Sequence, residues 1–162
     1  MTAAVVAARV ADPELPMLTL ADLGILRGVE ESGDGVVVTI TPTYSGCPAM
    51  QTIQDDLTDA LHGAGYARVE VRTVLTPAWT TDWITAAGRD KLVAAGISPP
   101  GAAPRRASGP VPLTLVPRRR AIACPQCGSP DTEEIAAFSA TACRSLRRCP
   151  VCREPFEHVK EI

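Results

Sequence analysis

Three rhythms of apolar residues follow one another in the first half of the chain. Val36-Val37-Val38-Thr39-Ile40 is a solid apolar run and predicts a strand. After a polar turn, Met50, Ile53, Leu57, Leu61 and Ala64 recur every three or four residues. That spacing predicts an amphipathic helix, closed by Gly65. Ala67 to Leu75 then alternates: Val69 and Val71 face one way, Arg68, Glu70 and Arg72 the other, as in a half-buried strand.

Ile25 to Glu30 predicts a further strand. Ser32-Gly33-Asp34-Gly35 has the residues of a hairpin turn, so this strand pairs antiparallel with the Val36 run. A short helix over Thr2–Val10 precedes it and is stopped by Asp12-Pro13-Glu14-Leu15-Pro16, because each proline pushes its predecessor toward extended geometry. Leu18–Gly24 reads as a loop anchored by leucines, and Thr85–Ala95 as a last helix capped by Gly96. Trp79 and Trp83, in the loop between, are expected to lie as lids on the core, since large rings dominate burial where aromatics are only 4% of residues. The fold class is α+β: a small β-β-α-β sheet-and-helix domain over residues 1–97.

The pattern breaks at Ser98. Six prolines stand between residues 98 and 117, the composition of a semi-rigid linker, and residues 98–120 are assigned to it. Arg105, Arg106 and Arg118-Arg119-Arg120 make it locally basic. Such a run is a solvated linker or a strip for an acidic partner or nucleic acid. Residues 121–162 are expected to form a separate all-β zinc ribbon.

Five of the six cysteines fall in the last 39 residues. Cys124-Pro125-Gln126-Cys127 and Cys149-Pro150-Val151-Cys152 are two C-x-x-C turns. On short hairpins around Ile135 and Phe156 they would close a tetrahedral four-sulfur site. Zinc is the default ion for it, and a single iron fits the same geometry. A structural role is expected, because so short a module cannot build an adequate core. Cys143 is the leftover thiol, with Arg144, Arg147 and Arg148 near it in sequence. It reads either as a second sulfur or metal-transfer site or as a buried small hydrophobe. His62 is expected on a helix surface, and His158 is not counted as a ligand.

Cys47 stands in Thr43-Tyr44-Ser45-Gly46-Cys47-Pro48, between the Val36 strand and the helix. With Pro48 at the first helical position, it meets backbone N–H groups and the positive end of the helix dipole. That favours a thiolate able to handle metal; the plainer reading is a small residue filling a tight turn. Asp12 and Glu14 form either a polar lip beside a site or a solvated turn in which Asp12 caps backbone groups.

A net charge of −2 excludes nucleic-acid binding by electrostatic bulk. No apolar run approaches a membrane span, and no basic segment precedes the apolar start, so neither membrane association nor secretion is expected. No nucleophile and base pair can be named, and there is no E-x-x-H set of the di-iron type.

Asp12-Pro13-Glu14-Leu15-Pro16, Leu23-Gly24-Ile25 and Pro42–Pro48 resemble the metal–sulfur cluster assembly family that includes SufT. With Ser139–Leu146 and Arg153–Glu157 added, the whole chain resembles the family of D subunits of bacterial phenylacetyl-CoA epoxygenases. The resemblance implies a cytoplasmic accessory protein of aerobic phenylacetate degradation, not itself catalytic. It would mature the iron or iron–sulfur centres of the oxygenase and reductase subunits of that complex. It places the family's reactive cysteine at Cys47 and its zinc thiolates at Cys124, Cys127, Cys149 and Cys152. Cys47 would hold iron or a cluster transiently, assisted by Asp12, Glu14 and Cys143. A non-catalytic structural subunit and a nucleic-acid-binding ribbon are the alternatives; a homodimer is left open.

Overall fold

A computed structural model describes residues 1–33, 35–44, 46–103 and 121–162. The expected hairpin residue Asp34, the turn residue Ser45 and the linker arginines Arg105, Arg106 and Arg118–Arg120 lie outside the described residues. The chain divides into two compact units, Met1–Leu92 and Val93–Ile162.

The first unit holds α1 (Ala3–Ala7), β1 (Leu26–Ser32), β2 (Gly35–Ile40), α2 (Met50–Gly63) and β3 (Arg68–Thr73), with α3 (Ala86–Ala94) beginning in it. The sheet order is β1-β2-β3. β1 runs antiparallel to β2, with Val29 opposite Val38, as the hairpin chemistry predicts. β3 runs parallel to β2, with Val36 opposite Val69 and Val38 opposite Val71. Parallel neighbours need a crossover, and α2 is that crossover.

Packing follows the sequence pattern. Val36, Val38 and Ile40 of β2 are buried, and so are Ile53, Leu57 and Leu61 of α2. Each such side chain contributes about 2 kcal/mol by leaving water. The end of α2 is also as predicted. Gly65 takes a φ of 98°, and the N–H groups of Gly65 and Tyr66 donate to the carbonyls of His62 and Leu61. That pair of bonds satisfies carbonyls the helix leaves open.

Gly24 is required by space as well as by its φ of 69°: a Cβ there would lie 2.6 Å from Trp83 Cβ. Trp79 is the core lid expected, buried, with its indole N–H donating to the Leu23 carbonyl at 2.9 Å. Trp83 is half-buried, with the Arg27 guanidinium 3.6 Å from its ring centre, an arrangement favoured by the ring quadrupole.

The second unit is a three-stranded antiparallel sheet of β4 (Glu133–Ala136), β5 (Arg144–Arg148) and β6 (Pro155–Val159), in the order β4-β5-β6. The expected hairpins account for β4 and β6. The central strand, β5, is Arg-Ser-Leu-Arg-Arg and has no apolar rhythm to announce it. Arg144 and Arg147 are buried, because acids and carbonyls meet them, while Arg148 is exposed. Arg144 pairs with Glu157 at 2.6 Å, and Arg147 donates to the Thr132 carbonyl at 2.9 Å. The beginning of the proline-rich stretch belongs with this sheet. The Ser98 N–H donates to the Glu157 carbonyl, and the Ser98 carbonyl accepts from the Val159 N–H.

Candidate functional site

The metal centre is built from two turns of the same construction. In the first, the Cys124 N–H donates to the Ser129 carbonyl and the Gly128 N–H donates back to the Cys124 carbonyl. In the second, the Cys149 N–H donates to the Glu154 carbonyl and the Arg153 N–H donates back to the Cys149 carbonyl. The residue after each second cysteine adopts a left-handed φ, 75° at Gly128 and 68° at Arg153. That conformation aims both thiols of a turn at one point.

The four sulfurs of Cys124, Cys127, Cys149 and Cys152 all lie within 4.8 Å of one another. Cys124 and Cys152 are 3.7 Å apart, and Cys127 and Cys149 are 3.6 Å apart. These spacings are far too long for disulfides, at about 2.05 Å. They match the edge, about 3.8 Å, of a tetrahedron whose metal–sulfur arms are about 2.3 Å. The donor set therefore fits a divalent ion in a closed site, for which zinc is the default.

Electrostatics point the same way. Backbone N–H groups of Cys152 and Val151 directed at the Cys149 sulfur bring that thiol down to about 7. Cys152 receives a favourable N–H from Glu154, but burial and its three sulfur neighbours push it up to about 12. Cys127 likewise has the Ser129 N–H in its favour, yet is raised by burial and by Cys149. Four adjacent thiols cannot all ionise without a cation among them.

The ribbon's apolar cluster is Cys124, Cys149 and Phe156, with Ile122 and Cys152 packed against it. Cys143 is outside the four-sulfur set, half-buried, with its sulfur 3.1 Å from the Thr141 hydroxyl. The Thr141 oxygen also accepts from Arg144 Nε at 3.0 Å. His158 is not a ligand of the four-sulfur site. His62 is exposed on α2, as expected.

Cys47 lies in the turn between β2 and α2, half-buried. Its N–H donates to the Tyr44 carbonyl, and its own carbonyl accepts from the Met50 N–H at 3.4 Å. The helix begins later than expected: Ala49 is its N-cap and Met50 its first residue, so Pro48 belongs to the preceding turn. The Cys47–Met50 turn replaces the first helical turn the sequence suggested. α2 has neither a side-chain cap nor an acid in its first turn.

Asp12 is buried, and its Oδ1 accepts the N–H groups of Glu14 and Leu15 at 2.9 and 2.8 Å. This is the capping role among the two readings, and it braces the proline loop. Glu14 is exposed on that loop.

Known proteins divide the chain in the same two parts. Residues 4–73 match the family model described as an iron-sulfur cluster assembly protein. Residues 108–160 match the one described as the PaaD zinc beta ribbon domain. The class is thus an assembly-type α+β domain followed by a zinc ribbon.

Among relatives, an Escherichia coli (strain K12) protein assigned as the D subunit of 1,2-phenylacetyl-CoA epoxidase is 44% identical over 95% of this chain and 88% of its own length. The Fe-S protein maturation auxiliary factor YitW of Bacillus subtilis (strain 168) is 36% identical over 46% of this chain and 74% of its own. A crystal structure of a DUF59 domain from Bacillus anthracis superposes with a TM-score of 0.51, at 26% identity, over 56% of this chain and 87% of that one. The chain belongs to the PaaD family, that of the D subunits of phenylacetyl-CoA epoxidases. No helix among the described residues is long and apolar enough to cross a membrane.

Proposed function

We propose that this protein is a cytoplasmic accessory factor of aerobic phenylacetate degradation. It matures or maintains the iron or iron–sulfur centres of the oxygenase and reductase subunits of a phenylacetyl-CoA epoxidase. The observation that carries this reading is Cys47: a half-buried thiol on the turn into α2, in the unit that matches the assembly family. The helix start beside it carries no capping side chain and no acid. Its N–H groups and dipole therefore favour a thiolate nearby. A relative named as an Fe-S maturation factor supports the chemistry, and one assigned to the epoxidase supports the client.

In this reading Cys47 holds iron or a cluster transiently, and the client accepts it. Asp12 shapes the loop through its backbone bonds, and Glu14 offers an exposed carboxylate on it. Cys143 assists from the ribbon. The four-thiolate ion is structural, so the ribbon serves as the docking module.

The test is made on the clients. Oxygenase and reductase are purified from cells with and without this chain, or with its Cys47→Ala variant. Bound iron, sulfide and turnover of phenylacetyl-CoA are then compared. Maturation predicts metal-poor clients that stay inactive when the protein is added late. The name of the E. coli relative favours a second reading, a permanent non-catalytic subunit. That reading predicts fully loaded clients, active as soon as the chain is mixed back in, with Cys47→Ala as good as the parent.

A further inference from the structure

The ribbon unit buries an ionisable group that its metal site does not use. His158, on β6, is 3% exposed. Its Nδ1 lies 3.2 Å from the Ser98 carbonyl oxygen. A carbonyl can only accept, so Nδ1 carries the proton and the neutral ring turns its bare Nε2 the other way. That Nε2 is buried with no hydrogen-bond partner.

The surroundings of Nε2 do not welcome a second proton. Across the β5–β6 ladder sits Ser145, whose hydroxyl is buried and unpartnered as well. Arg147, also on β5, disfavours positive charge on the ring. Among the described residues Glu161 Oε2 is the opposing charge, at 3.9 Å, too far for a hydrogen bond. Its Oε1 accepts the Gly101 N–H at 3.1 Å. The segment from Ser98 to Ala103 brings no charged side chain, and the wall from Ala121 to Pro125 brings only the Cys124 thiol, a metal ligand. Burial outweighs Glu161 and holds the imidazole below its ordinary value.

The Ser98 carbonyl accepts both the His158 ring N–H and the Val159 N–H, while the Ser98 N–H donates to Glu157. The imidazole thus fastens a segment that lies along the edge strand. We propose that His158 is an acid-operated latch: neutral, it pins the Ser98 segment to β6, and on gaining a second ring proton it lets that segment go. Release bares the backbone N–H of Val159 and the carbonyl of Glu157 on an edge strand, where another strand can pair.

The sign follows from linkage. A group whose folded value is depressed stabilises the closed form above its unfolded value, about 6.5 for histidine. The stabilisation is lost as pH falls below that value toward the folded one. Opening should therefore rise as pH drops through about 6.5, approaching about tenfold per pH unit within that window.

NMR of the zinc-loaded full chain is recorded from pH 7.5 to 5.5, following the His158 imidazole and amide exchange corrected for intrinsic rates. His158 should titrate below the ordinary histidine value of about 6.5, and protection at Ser98 and Val159 should fall while the Cys124 and Cys149 amides hold theirs. His158→Asn keeps an N–H for the Ser98 carbonyl and should make that protection independent of pH. The latch is overturned if His158 titrates at or above the ordinary histidine value of about 6.5, or if protection at Ser98 and Val159 is flat with pH. It is equally overturned if His158→Asn keeps the parent's slope. If that variant does not fold, the parent's titration decides alone.

Discussion

Two positions in the ribbon have the same backbone and different side chains, and they should respond to substitution with opposite sign. Gly128 and Arg153 both sit at a left-handed φ after the second cysteine of a turn. A Cβ added at Gly128 meets nothing within 4 Å, so Gly128→Ala costs the left-handed penalty, about 1–2 kcal/mol, less about 0.5–1 kcal/mol regained from a stiffer unfolded chain, a net loss of about 0.5–1 kcal/mol. Arg153 already bears that penalty. Arg153→Gly removes it but loses about 0.5–1 kcal/mol to the freedom of glycine in the unfolded chain, for a net gain of about 0.5–1 kcal/mol. Metal binding and ribbon folding are one equilibrium, so both changes read out as affinity. Gly128→Ala should weaken zinc about 2- to 5-fold, and Arg153→Gly should tighten it about 2- to 5-fold. Competition against a chromophoric chelator at fixed pH measures both. An unchanged affinity for Gly128→Ala, or a tenfold loss for Arg153→Gly, would refute the equivalence of the two turns.

Gly24→Ala combines a left-handed φ with a Cβ 2.7 Å from the Trp83 carbonyl oxygen and should cost about 2–5 kcal/mol; urea unfolding followed by tryptophan fluorescence measures it, and a loss under about 1 kcal/mol would contradict the close approach. Leu57→Ala, at a fully buried position of α2, should cost about 2–5 kcal/mol in the same unfolding curve, without moving zinc affinity. Because Cys152 stands near 12 in the metal-free site, adding zinc at pH 7.5 should acidify a weakly buffered solution. An indicator dye reports that release, and no colour change would mean the thiols were already ionised.

Most of the first unit is legible in the sequence because its periods differ: alternation in β3, three-and-four spacing in α2, a run in β2. The four ribbon cysteines are legible from spacing alone, since two matched C-x-x-C turns have few other uses. β5 is not legible, because it is buried through ion pairs and carries only one large apolar residue, Leu146, in five. α2 starts two residues after Pro48, despite proline's preference for the first helical position, because a Tyr44–Cys47 and a Cys47–Met50 turn compete for those residues. Asp12 is ambiguous from sequence, since acids near prolines cap turns and line sites equally well. The pairing of Ser98 with β6 joins residues 60 apart, and no local pattern encodes it.

Among the described residues, three of the five in the ribbon's apolar cluster are metal ligands, so that cluster loses most of its members' anchorage once the ion departs. The ribbon's stability is then no fixed property of the chain but a function of free zinc. By mass action, each tenfold fall in zinc above the dissociation constant removes about 1.4 kcal/mol. A cell short of zinc would carry this protein with its first unit intact and its ribbon unfolded.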